Sequence, residues 1–359
     1  MIDYEKIRQR FLDSSKIDKF VMQLFYDHSL QEEPYFLGEK IFPVEPTMKD
    51  IVSVASMLQY ESPMSYVSPF EIPPQAQIPT DKDEALYRLA VKAEQDYINE
   101  EVMWYLKLSD NPIAKDIEAA ETNIKKQLAI MTNRLRLRNE IEVWSSLTTG
   151  RVTTLHGVTF DQPWKNFDIT NIGSGICYHD RESWFNSSGV ADASYDFVKY
   201  FREVDKVVAE RGGRPPTKCF MNSTTFSAFL KNTKLNTQIQ GVYVPFWYSY
   251  ATQTKNRRYS IYKIPPLQID IVVYDAHYMS NRTTRTNTAF IPDYYAIFIP
   301  DTVGKRYVAP NKVDGKPKRY GRTFTDIQRY LIQYEIGEVS LPVPDDFVSP
   351  YIVYTKAAT

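Results

Sequence analysis

Apolar side chains recur at intervals of three and four through the middle of the chain, at Ile113, Ile117, Ala120, Ile124, Leu128, Met131 and Leu135. A second stripe follows at Ile130, Leu137, Ile141 and Trp144 before Gly150. One face of a 3.6-residue helix produces that spacing. Ser109-Asp110-Asn111-Pro112 places a capping residue directly before proline at the first helical position, which predicts the start. The pattern gives one helix over residues 113–147, about 50 Å long at ~1.5 Å rise per residue. No heptad seam is sustained along it, so its length reads as a structural spine rather than a coiled coil.

Around that spine the pattern changes character. Residues 1–50 read as an arm, with a short amphipathic stretch through Phe20, Leu24 and Phe25 and then extended chain punctuated by Pro34, Pro43 and Pro46. Two strand patterns, residues 53–59 and 86–91, bracket Pro63, Pro69, Pro73, Pro74 and Pro79. Proline cannot donate to a ladder, so this region is expected to be a long projecting loop. Phe197, Phe201, Val204 and Val208 predict a second helix, ended by Gly212-Gly213 and Pro215-Pro216. A strand at 218–221 leads to a third helix, capped by Asn222 or Ser223, with Phe226, Phe229 and Leu230 as its apolar face. Beyond Gly241 the pattern is mostly strand, at 242–248, 259–264, 269–274, 289–291, 296–299 and 331–336. Helices first and strands later predict an α+β fold.

Composition narrows the class. The 359 residues contain 43% hydrophobic and 24% charged positions, which is ordinary globular usage. Lys+Arg of 43 against Asp+Glu of 44 leaves a net charge of −1, so bulk attraction to nucleic acid does not organise this molecule. The two cysteines, Cys177 and Cys219, are too few for a disulfide scaffold, and a reducing compartment fits best. Neither a signal-peptide core nor an 18-residue apolar run occurs, so no membrane role is expected.

Candidate chemistry is sparse. Gly173-Ser174-Gly175 resembles the opening of a dinucleotide loop, but Tyr178 replaces the third glycine. Cys177, His179 and Asp180 offer a thiolate, an imidazole and a carboxylate together, yet His28, His156 and His277 are not spaced to complete a site. They read as a packed cysteine and a surface histidine, and Asp275-Ala276-His277 reads the same way. No catalytic residue, metal or cofactor is expected. Charge is uneven, with 11 acidic against 5 basic residues over 81–121 and 13 basic against 5 acidic over 250–322, or −6 against +8. The two regions are candidates to attract one another between subunits; contact of the basic run with nucleic acid and two unrelated solvated faces are the other readings.

An arm, a proline-rich loop, one very long helix and a β-rich region with a returning C-terminal strand occur in an order that resembles the major capsid proteins of tailed phages. The likeness is to the Hong Kong-97 fold and the lambda-like major head protein family. It rests on Tyr87-Arg88-Leu89 running into residues 93–101, the spine at 113–150, and Phe290-Ile291-Pro292-Asp293 followed by the strand 296–300. Tyr320-Gly321 and Leu341-Pro342-Val343-Pro344-Asp345 complete it. Tyr294 stands where many members carry glycine, so the turn there is expected to differ.

The resemblance implies a structural protein, not an enzyme, that self-assembles into hexamers and pentamers of an icosahedral head enclosing DNA. A separate scaffolding protein, a portal and a decoration protein are its implied partners, with non-specific contact to packaged DNA and assembly in the host bacterial cytoplasm. It also implies an arm at 1–50, a projecting loop and linker at 51–111, a peripheral domain at 112–235 with 323–359, and an axial domain at 236–322. An arm and hairpin that cannot bury their own apolar residues need neighbours to cover them. Phe42, Ile51, Val52, Met57, Leu58, Tyr66, Phe70 and Ile72 are the candidate interface residues, with Asp81, Asp83 and Glu84 meeting Lys316, Lys318 and Arg319. An encapsulin-like compartment shell and a phage tail or baseplate binding protein are the rival readings.

Overall fold

The computed structural model describes residues 36–57, 82–97, 114–153, 159–161, 178–210, 212–240, 259–264, 267–281, 286–326, 331–344 and 349–357. The long helix is present and unbroken as α2, Ala114–Thr149. Its start signal at Asp110 to Pro112 lies outside the described residues. Leu128, Met131, Leu135, Val143, Trp144 and Leu147 are buried along it. Ile130, placed by the pattern in an apolar stripe, is instead 51% exposed, because it falls on the flank of the helix away from the sheet it packs on.

Two sheets carry the rest. The first has six strands in the order β7 (Tyr178–Phe185), β17 (Tyr351–Lys356), β13 (Tyr295–Ile299), β8 (Lys218–Met221), β10 (Asp270–Tyr274) and β9 (Tyr259–Lys263). Its central strands are apolar at successive positions because both faces are covered. Phe220, Val272, Ile297, Ile299 and Ile352 face the core that holds Val143, Trp144 and Leu147 of α2. Cys219, Met221, Ile271, Ala296, Phe298 and Val353 face the opposite way, into α3 (Phe197–Glu210) and α4 (Ser223–Lys231). Trp184 is wholly buried there, with Phe197, Tyr200 and Phe229 edge-on at 5.0, 5.9 and 5.4 Å. The two predicted helices hold: Gly213 N–H returns to the Val208 carbonyl at 2.9 Å to end α3, and Asn222 caps α4 by accepting from Thr225 N–H at 2.9 Å. A further helix, α5 (Thr233–Gln240), follows directly.

The second sheet is built on β16, Leu331–Pro344. One of its edges takes β15 (Tyr320–Asp326) and then β14 (Gly304–Val308), with β1 (Val44–Pro46) outside β14. The other edge takes β4 (Ala90–Tyr97), since Ser340 faces Val308 on one side and Ala90 on the other. Sequence patterning ended this strand at residue 336. The prolines Pro342 and Pro344 continue it because β4 pairing stops at Ser340, leaving their edge without a partner strand among the described residues. A separate two-stranded ribbon joins β2 (Ile51–Met57) to β3 (Lys82–Arg88), and Leu89 separates β3 from β4; the prolines of the expected loop lie outside the described residues. Short ribbons β5–β6 (Arg151–Thr153, Thr159–Asp161) and β11–β12 (His277–Asn281, Thr286–Ala289) complete the set. The strand expected at 289–291 is therefore a turn after β12, and the one at 242–248 lies outside the described residues.

Three further expectations need correction. The part of the expected arm that is described does not lie free: over residues 36–43, α1 (Gly38–Ile41) and its flanks bury Leu37, Ile41 and Phe42 in the α2 core. The two sheets also cross the expected domain boundaries. β14 and β15 join β16, while β7, β8 and β17 join β9, β10 and β13. Finally, at the turn where glycine is expected in relatives, Tyr294 itself takes a left-handed backbone at φ 66. Its N–H donates to Thr225 Oγ1 at 2.9 Å, its carbonyl accepts from Thr355 N–H at 2.7 Å, and its ring packs edge-on to Phe185 at 5.1 Å. Those contacts hold a backbone state that costs a non-glycine residue about 1–3 kcal/mol.

Leu128→Ala should destabilise the chain by about 2–5 kcal/mol, whereas Ile130→Ala should fall within about 0.5 kcal/mol of the parent. Urea unfolding of both variants checks the orientation of α2, and equal losses would contradict it.

Candidate functional site

The helix face that lies on the β16 sheet is apolar at Leu128, Met131 and Leu135 and then turns polar at Asn139 and Glu142, all of them buried. Alternation along β16 puts Glu338 and Ser340 on the facing side, and the β4 register sets Lys92 directly opposite Glu338. Charge is thereby enclosed between helix and sheet, where an unpaired ion would cost several kcal/mol. Most of it is paired directly, Arg306 Nε and Nη1 being the buried nitrogens of the network without a hydrogen bond among the described residues. Lys92 Nζ contacts the Glu142 carboxylate and donates to Asn139 Oδ1 at 2.8 Å and Ser340 Oγ at 3.0 Å. Glu338 accepts from Ser340, from Arg319 Nε and, at 3.3 Å, from Asn139 Nδ2.

The network reaches the amino-terminal segment through the other end of Arg319. Its Nη2 donates to Glu39 Oε1 at 2.9 Å, and the wholly buried Arg306 approaches the same oxygen at 3.6 Å while donating to the Asn139 carbonyl at 3.1 Å. Arg138 adds a 3.2 Å contact to Glu142 from the next turn of α2. Burial alone would raise the Glu338 carboxyl, but Arg319, Lys92 and Arg306 hold it down to about 2. Glu39, only partly shielded from water, is likewise held low against its desolvation by Arg319, Arg306 and Arg136. Lys92 is lowered by burial, against the pull of Glu142 and Glu338.

One turn along, Glu140 forms a second clamp without any cation. Its carboxylate accepts from Leu37 N–H at 3.0 Å, Gly38 N–H at 2.8 Å, Trp144 Nε1 at 2.6 Å and Tyr274 Oη at 3.0 Å. The first two are the free N–H groups that open α1, so the spine caps a helix distant in sequence. Burial nevertheless pushes the Glu140 carboxyl up. Only glycine fits at 38, since a Cβ there would sit 2.6 Å from Glu140 Oε2.

The candidate interface residues separate under this geometry. Phe42 is fully buried within its own chain and is not an intersubunit contact. Val52 is also buried, while Ile51 is 52% exposed at the root of the ribbon. Met57 pairs with Lys82 at the ribbon's described end, with Asp83 and Glu84 opposite Ser56 and Ala55. Leu58, Tyr66, Phe70, Ile72 and Asp81 lie outside the described residues. Arg319 turns inward to Glu338 and Glu39, and Lys318 pairs with Asp314 of its own loop at 3.0 Å, so only Lys316 of that trio presents an exposed cation. Cys177 lies outside the described residues, and Cys219 is buried with its thiol pushed well up by desolvation. Asp275 accepts from Ser223 N–H at 2.7 Å, and the Asp275 carbonyl lies 2.9 Å from His277 Nδ1. Among the described residues no three His, Cys, Asp or Glu side chains gather as a metal site.

Sequence patterning passed over Lys92, Asn139, Glu140, Glu142, Arg306 and Glu338. The available signal was polar residues in register with apolar ones: Asn139 and Glu142 continue the Leu128–Leu135 stripe, and Glu338 sits at strand spacing from Ile336.

A long helix laid on a β sheet, a second two-faced sheet and a two-stranded ribbon define an α+β fold of the Hong Kong-97 type. The chain belongs to the phage major capsid protein E family, whose sequence signature matches residues 29–325. It is thus a structural capsid protein of the virion and not an enzyme. Among solved structures it is similar to a capsid protein from a prophage of E. coli CFT073, at TM-score 0.59 and 13% identity over 96% of this chain and 99% of that one. The capsid of cyanophage P-SCSP1u gives TM-score 0.50 and 11% identity over 90% and 89%. An encapsulin from Synechococcus elongatus PCC 7942 gives only 0.44 at 10% identity over 90% and 88%, too low to argue for a compartment shell. No curated protein matches the chain.

Glu338→Gln removes the buried carboxylate that Arg319 Nε reaches and leaves the enclosed network with one positive charge in excess, which should cost about 3–5 kcal/mol. In the parent, a carboxyl held at about 2 against an ordinary 4.5 contributes stability that is complete above the ordinary value and lost as pH falls toward 2. Denaturant midpoints recorded from neutral pH down to about pH 3 should therefore fall more steeply for the parent than for Glu338→Gln; parallel curves would remove Glu338 from the account.

Proposed function

We propose that the chain assembles with copies of itself into hexamers and pentamers of an icosahedral head that encloses DNA. The observation that carries this reading is the β2–β3 ribbon, which pairs with no other described strand. A lone two-stranded ribbon is marginal in water, and the surface of a neighbouring subunit would supply what it lacks. We read α2 with the β16 sheet as the peripheral part and the six-stranded sheet with α3, α4 and α5 as the axial part, in place of the boundaries expected from sequence. A separate scaffolding protein, a portal and a decoration protein remain the proposed partners. Assembly in the host cytoplasm and non-specific contact with packaged DNA belong to the same proposal.

Deleting residues 63–79 should leave a subunit with parent-like circular dichroism that forms no closed shells under the electron microscope. Normal shells from the deletion would remove the loop from assembly. Charge steering reduces to Lys316 against Asp83 and Glu84 of a neighbour. Lys316→Glu should slow assembly at low salt, with the deficit fading once screening falls below about 10 Å, and D83K with E84K should partly restore the rate. Light scattering reads both, and a rate unchanged at low salt would leave Lys316 as solvated surface.

A further inference from the structure

The ion network joins two segments that the assembly reading treats as independent appendages. Glu39 belongs to α1, at the end of the amino-terminal segment, and Lys92 belongs to β4, which continues from the ribbon strand β3 after Leu89. They are not hydrogen-bonded to one another. Each instead holds a different end of the same chain of groups: Lys92 donates to Ser340, Ser340 to Glu338, Arg319 to Glu338 at one end of its guanidinium and to Glu39 at the other. Arg306 closes a second route, touching Glu39 and the carbonyl of Asn139, whose side chain bonds both Lys92 and Glu338.

The inner set is balanced, with Lys92, Arg306 and Arg319 against Glu142, Glu338 and Glu39. Arg136 acts on Glu39 from α2, and Arg138 meets Glu142 from the same helix. Of the inner six, only Glu39 is substantially exposed, at 43% of its side chain. Withdrawing Glu39 leaves two buried arginines sharing one fewer carboxylate, an excess of positive charge. Withdrawing Lys92 leaves the opposite excess. Losing both restores the balance, because Glu39 and Lys92 carry opposite charges within one poorly screened interior.

We propose that this network is a coupling joint, in which seating of the amino-terminal segment and anchoring of the projecting loop's base strand stabilise each other through Arg319 and Glu338. A force that pulls residues 36–42 away from the spine loosens β4, and displacement of β4 loosens the segment in return, as reciprocity of coupled equilibria requires. The joint is a property of the single chain and does not depend on hexamers, pentamers or DNA.

The test is a double-mutant cycle on the full-length, unassembled chain, read by hydrogen exchange. Glu39→Gln, a change at the exposed edge of the network, should speed exchange of the β4 amides around Lys92 by about fivefold or more, while amides of β13 in the other sheet stay as in the parent. Lys92→Met should speed exchange of the 38–42 amides in the same way, and the double variant should lose less protection than the two singles combined. Additive losses, or an effect of Glu39→Gln confined to its own segment, would overturn the proposal. Should Lys92→Met fail to fold, the response of β4 to Glu39→Gln decides alone. Failure of the mutants to form shells bears on the assembly reading, and their exchange rates bear on the joint.

Discussion

Charge enclosed between the spine helix and the longest strand governs this structure. Once Glu142 and Asn139 occupy the sheet-facing side of α2, something cationic must arrive from the sheet, and the β4 register delivers Lys92. Glu338 then needs its own cation and receives Arg319 from the loop before β15. Each ion is tolerable only because the next is in place, so the geometry of helix, sheet and amino-terminal segment is fixed jointly. A hydrophobic seam of the same size would permit α2 to slide by a turn. A chain of complementary charges does not, because each alternative register leaves a buried ion alone.

The sheet with two covered faces works by a different principle. Its strands alternate between the α2 core and the aromatic cluster around Trp184, so it transmits packing rather than charge. Tyr294, directly before β13, ties that sheet to its helix layer, holding Thr355 of β17 and Thr225 of α4 from one strained residue. The molecule therefore combines an apolar sheet with a charged joint between α2 and the other sheet. Trp144 links that apolar sheet to the α1 clamp: its ring lies tilted 5.4 Å from Tyr274, and its Nε1 donates to Glu140.

Periodicity revealed what periodicity governs. α2, α3, α4 and the central strands of the six-stranded sheet follow from spacing, capping and runs of β-branched and aromatic residues. β7 did not: Tyr178-His179-Asp180-Arg181-Glu182 reads as polar chain, and it is a strand because it sits at a sheet edge with β17 as its one neighbour among the described strands. The burial of Leu37 and Phe42 was equally hidden, since it depends on Glu140, about a hundred residues away, supplying a helix cap that no local residue provides. The ion network was illegible for a sharper reason. Lys92, Glu142 and Glu338 look like surface charge until the pairing of β4 with β16 is known, and that pairing is a contact across nearly two hundred and fifty residues.

That separation has a consequence for the order in which the molecule can form. β4 emerges early in synthesis, but its only sheet partner among the described strands is β16, near the far end of the chain. Until that strand appears, Lys92 has no Ser340 or Glu338, and the ribbon that β4 anchors has no fixed root. Domains generally fold as their chains are completed, from the amino terminus onward. Here β4 waits for a strand more than two hundred residues further along, so a chain stalled before β16 holds Lys92 against Glu142 without the sheet that fixes either.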